Sequence, residues 1–68
     1  MQVSISSSQA LEMIRAAQDH YAEKSGVGVA YRIRVEAMYK FVQDTRKRSP
    51  KANIVLTLDD FVLLNEFA

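Results

Sequence analysis

The chain opens on an alternation. From Gln2 to Ser6 polar and apolar residues take turns, with Val3 and Ile5 on one side, a spacing that predicts a short strand. Ser6 and Gln9 then stand at the positions of a capping box, with Ile5 and Ala10 as its hydrophobic staple. A helix over about residues 7–24 follows. At 100° per residue Ala10, Leu11, Met13, Ile14, Ala17 and Tyr21 share one broad face, and Glu12, Arg15, Asp19 and Glu23 lie opposite. Ser25-Gly26 supplies a left-handed stop.

The next stretch supports two periods at once. Every odd position from Val27 to Phe41 is apolar, which taken alone spells a long strand. A helical period fits as well: Ala30, Tyr31, Val35, Ala37, Met38, Phe41 and Val42 gather on one side, Arg32, Glu36, Lys40, Gln43 and Lys47 on the other. Glu36 and Lys40 stand at i,i+4 in the favourable order, and good helix formers run from Val35 to Arg48 without a breaker until Pro50. Fifteen residues would make an unusually long strand. A helix over about 29–48 is therefore predicted, with β-branched Val27–Arg34 the segment where strand competes best. Ser49-Pro50 ends it, since proline disfavours the helical conformation in the residue before it.

Asn53–Leu56 reads as a second short strand, able to pair with Val3–Ile5. Thr57 and Asp60 repeat the capping-box spacing, with Leu56 and Phe61 as staple, and Asp59 and Asp60 suit a helix N-terminus. The last helix, about 58–67, is apolar almost all round: Leu58, Phe61, Val62, Leu63, Leu64 and Phe67. It is either the centre of the core or part of a partner surface. The expected fold is thus mainly α, with α+β as the alternative: a single β-α-α-β-α domain over 1–68, with about three helices and one or two short strands.

Size adds a constraint. A 68-residue chain buries only about 60% of its unfolded surface. It has no cysteine for a disulfide, and self-association is the simplest source of further burial. A homodimer is the expectation. The sequence shows neither a signal peptide nor an apolar run near 18 residues, so the cytoplasm is the default location and no membrane partner is expected.

Charge changes the picture more than composition does. The net charge of +1 hides a dipolar layout. Residues 27–51 carry seven cations and two anions, residues 52–68 carry three anions, and residues 1–26 come to −1. The run Arg46-Lys47-Arg48-Ser49-Pro50-Lys51 places four cations where a helix meets a loop. Cations in a last helical turn are explained in part by the helix dipole. The functional reading is phosphate contact by Arg46, Lys47, Arg48 and Lys51, with Arg32 and Lys40 extending the positive charge.

An enzyme is hard to assemble from these residues. The only histidine is His20, there is no thiol, and Ser6, Ser7 and Ser8 are accounted for by helix capping. Asp59 and Asp60 are adjacent on a helix and diverge by about 100°. Gly26-Val27-Gly28 is too little for a phosphate loop. No catalytic residue, cofactor or metal is expected. Arg34 is the remaining anomaly, a charge in the apolar sector of the second helix. It must pair, extend to solvent, or anchor an interface. Two non-enzymatic functions follow. The first is a regulator binding nucleic acid, DNA or RNA, through the basic helix end. The alternative is a protein-binding module, such as a small inhibitor, antitoxin or assembly factor, using Arg34, Phe61, Leu64 and Phe67.

Overall fold

A computed structural model describes residues 1–23 and 28–66; the predicted stop at Ser25-Gly26 and the end of the last helix at Phe67 lie outside the described residues. The element order is β1 (Gln2–Ile5), α1 (Ser7–Glu23), α2 (Val29–Arg48), β2 (Ile54–Thr57) and α3 (Leu58–Asn65). This is the mainly α β-α-α-β-α arrangement that the pattern predicts.

β1 and β2 pair antiparallel, with Val3 opposite Leu56 and Ile5 opposite Ile54. Those four form the inner face: Ile5, Ile54 and Leu56 are buried and Val3 packs against them. The alternate positions Gln2, Ser4, Val55 and Thr57 form the outer face and are exposed. Period-two alternation thus sets which side of the ribbon meets the helices. The ladder continues past β2 through a bond from the Leu58 N–H to the Met1 carbonyl at 3.1 Å.

Both predicted caps form. The Ser6 Oγ accepts from the Gln9 N–H at 3.1 Å and the Thr57 Oγ1 from the Asp60 N–H at 3.2 Å, satisfying donors that a helix start leaves open. β2 is shifted one residue from the predicted 53–56. Thr57 therefore ends the strand and caps α3 at once. After α2, Pro50 sits in a turn closed by the Ala52 N–H on the Ser49 carbonyl at 3.0 Å, which suits its fixed φ.

The core runs between the helices and the inner sheet face. α1 buries Ala10, Leu11, Met13, Ile14 and Ala17, with Tyr21 half-buried at its end, as the helical period predicts. α2 contributes Val35, Met38 and Val42, and α3 contributes Leu64. The predicted inner face of α2 is corrected: Ala30, Ala37 and Phe41 are exposed, not buried. The reason is geometric. Side chains two apart on a helix point about 200° from each other. The odd-numbered apolar run therefore splits into two i,i+4 stripes on opposite sides. Tyr31, Val35 and Tyr39 turn inward, while Val29, Ile33, Ala37 and Phe41 turn toward solvent.

Tyr21 of α1 and Tyr31 of α2 fix the two helices together. Their rings meet edge to face with centroids 6.1 Å apart. The Tyr21 hydroxyl donates to Glu36, and the Arg32 guanidinium lies 5.0 Å from the Tyr21 ring centroid while donating to the Tyr21 carbonyl at 3.0 Å. Burial, and then the Glu36 carboxylate, push the Tyr21 phenol up to about 12, against the opposing charge of Arg32. Tyr31 is also raised, chiefly by burial and then by Glu66. A tyrosine held protonated in the folded chain adds stability that is whole below its ordinary value of 10. Above that value only the unfolded chain loses the proton, so stability falls from pH 10 toward 12. Thermal melts over pH 8–12 should show this decline, shallower in Tyr21→Phe. Equal slopes would contradict the Tyr21–Glu36 arrangement.

Candidate interaction surfaces

The apolar face begins with the outward stripe of α2. Val29 is 71% exposed, Ile33 64% and Phe41 45%, at four-residue intervals through Ala37. Between α2 and β2 lies an open groove of about 260 Å³, lined by Arg34, Ala37, Met38, Phe41, Val55, Leu56, Thr57 and Asp60. A second hollow, bounded by Ile33, Glu36, Ala37 and Lys40, adjoins it through the shared Ala37. Val55, 47% exposed on the outer sheet face, carries the band onto β2. One apolar surface thus runs from Ile33 across Ala37 and Phe41 to Val55.

Arg34 stands at its edge. Its Nε donates to the Asp60 Oδ1 at 2.6 Å, the one ion pair among the described residues. The anomaly in α2 is resolved as a paired arginine. Asp60 is drawn into that bond and contributes only its backbone N–H to the cap of α3. The Arg34 side chain is half exposed, so the pair adds at most about 1 kcal/mol to stability. Its larger consequence is to give the groove a fixed polar rim.

The predicted partner surface on α3 needs correction. Leu64 is wholly buried and cannot meet another molecule, because it faces the core. Phe61 is half-buried against the same core. Phe67 lies outside the described residues. Among the described members of the predicted set, only Arg34 lines the exposed groove. Val29, Ile33, Ala37, Phe41 and Val55 were missed as surface residues. The signal lay in the odd-numbered run, which divides into two i,i+4 series once a helix is chosen.

The basic end is arranged differently. Arg46, Lys47 and Arg48 occupy the last turn of α2, and Lys51 follows Pro50 in the turn. All four are exposed, and no ion pair joins them to an acidic side chain among the described residues. Lys40 lies about 9 Å along the helix from Arg46, and Arg32 about 21 Å from it. Arg32 is moreover committed to Tyr21. The six predicted cations therefore divide into a cluster of four and two that stand apart.

The residues weighed for catalysis are dispersed. Ser7 and Ser8 begin α1, while His20 lies about 18 Å further along it. Ser6 caps that helix and Asp60 pairs with Arg34. Among the described residues no three His, Cys, Asp or Glu side chains converge, and no helix is long and apolar enough to cross a membrane. No protein-family model, curated protein or solved structure matches this chain.

Proposed function

We propose that this is a small non-enzymatic binding module whose working surface is the outward face of α2 continued onto β2. The observation that supports it is the continuous exposed band of Ile33, Ala37, Phe41 and Val55, on a domain whose core is complete without it. Burying one such large side chain is favourable by about 1.5–3 kcal/mol, which this chain forgoes at several neighbouring positions.

Photocrosslinking tests the reading. A photoreactive residue at Ile33 or Val55 should give adducts in cells well above those from Glu12 or Asp19, on the polar side of α1. Equal yields at all four positions would sink it.

Nucleic-acid binding by a cytoplasmic regulator is the second reading. It is favoured by the four exposed cations Arg46, Lys47, Arg48 and Lys51. It uses a different part of the molecule, so the two readings are separable by substitution.

A further inference from the structure

We infer that the partner of the apolar face is a second copy of this chain, its α2 packed antiparallel to the first across a twofold axis near Ala37. The inference rests on the binding-face reading and names its occupant.

A twofold interface must be self-complementary, because the same patch supplies both sides. The α2 stripe meets that condition in shape. Reversal about position 37 exchanges 33 with 41, so Ile33 and Phe41 of one copy share a layer with Phe41 and Ile33 of the other. Ala37, the smallest side chain of the band, falls at the axis, where two helices at 8–10 Å separation approach most closely. The hollows on either side of Ala37 receive the larger side chains.

The stripe also meets it in charge. Glu36 and Lys40 border the Ile33–Ala37 hollow. With the axis at Ala37, Glu36 of one copy and Lys40 of the other differ in height along the helices by two residues, about 3 Å, a gap that a lysine side chain spans. Each Glu36, whose Oε1 accepts from Tyr21 and Gln18, then offers its Oε2 to Lys40 of the second copy, so the pair forms twice. Parallel pairing would instead set like charges at equal height and bring the two Arg46-Lys47-Arg48 ends together. Antiparallel pairing leaves those ends about 30 Å apart.

The available area suits a reversible dimer. α2 is 20 residues, about 30 Å long. A strip of that length and about 10 Å wide offers about 300 Å² on each copy before the β2 margin is added, which places the interface in the small, transient class below about 1,200 Å² in total. The exposed pair on α3, Leu58 and Val62, is too small to compete.

The absence of cysteine makes the axis directly measurable. Oxidised Ala37→Cys should form a disulfide-linked dimer at micromolar concentration, while Ser8→Cys on α1 should stay monomeric. Light scattering should show a wild-type dimer that Ala37→Glu converts to monomer with an unchanged circular dichroism spectrum, since Ala37 is exposed, and with a melting temperature that is lower and no longer depends on concentration. Lys40→Glu should weaken dimerisation about tenfold, because each paired charge becomes a like-charge contact. A wild-type chain that stays monomeric to millimolar concentration, or an Ala37→Glu chain that still dimerises, would overturn the inference. Photocrosslinks from Ile33 or Val55 to a different protein would overturn it too, while leaving the binding face intact. Equal crosslinking from α1 and α2 would remove both.

Discussion

Leu64→Asp should leave the chain unfolded at room temperature, and Leu64→Ala should cost about 2–5 kcal/mol. Leu64 is the one residue of α3 that is wholly buried, and it belongs to the same core cluster as the fully buried Ile14, Val35, Val42 and Ile54. A domain of this length has a total stability of about 3–10 kcal/mol. Truncating this side chain alone removes a large share of that. An aspartate there adds a buried charge with no cation near its place in the core. Val62 is the control: it lies two residues away on the opposite side of α3 and is exposed. Val62→Asp should change stability by no more than about 0.5 kcal/mol. Urea unfolding followed by circular dichroism distinguishes the two. A Leu64→Asp chain that melts like the wild type would mean that α3 does not pack as described, and would restore it as a candidate partner surface. The expected collapse removes it and leaves α2 and β2 to carry binding.

How far the molecule was legible in its sequence depended on how many faces each element had to satisfy. α1 has one buried face and one wet face, so its period reads unambiguously and its five buried apolar residues all fall on the predicted face. The caps were equally readable, because Ser6 and Thr57 act on donors only three residues away. α2 was harder because it is apolar on two sides. The inward Tyr31-Val35-Tyr39 and the outward Val29-Ile33-Ala37-Phe41 interleave into an alternation that imitates a strand. Choosing a helix was right, but folding both stripes into one core-facing sector hid the exposed one. α3 failed in the opposite sense. An all-apolar helix gives no phase, so nothing local distinguishes buried Leu64 from exposed Val62; only packing against α1 and the sheet does. Arg34 stood out in the sequence as a misplaced charge, yet its partner lies 26 residues away, where no spacing rule reaches.

If the basic end binds nucleic acid, binding to a mixed DNA or RNA pool should fall on the order of 100-fold between 50 and 200 mM salt. The figure follows from four phosphate contacts, each releasing about one counterion, which gives a salt slope of about −3.6. The structure argues for four rather than six. Arg46, Lys47, Arg48 and Lys51 cluster at the end of α2, whereas Arg32 is bound to Tyr21 and Lys40 borders the Ile33 hollow. Replacing Arg46, Lys47 and Arg48 together with glutamine should reduce the slope to about −0.9, the value for Lys51 alone, and abolish measurable binding at 200 mM. Arg32→Gln should leave the slope unchanged. None of the three glutamines touches the core, so the melting temperature should change little apart from the small loss of favourable charge at the helix C-terminus. A wild-type chain that binds neither DNA nor RNA at 50 mM would reduce the cluster to a solvated helix end. A slope near −5.4 with an equal contribution from Arg32 would mean that α2 lies along the phosphates over most of its length. That geometry would compete for the very face assigned here to a second copy, so measuring the slope with Ala37→Glu beside the wild type decides between them. Unchanged slope and affinity in that variant would mean that the cations act from the helix end, independently of dimerisation.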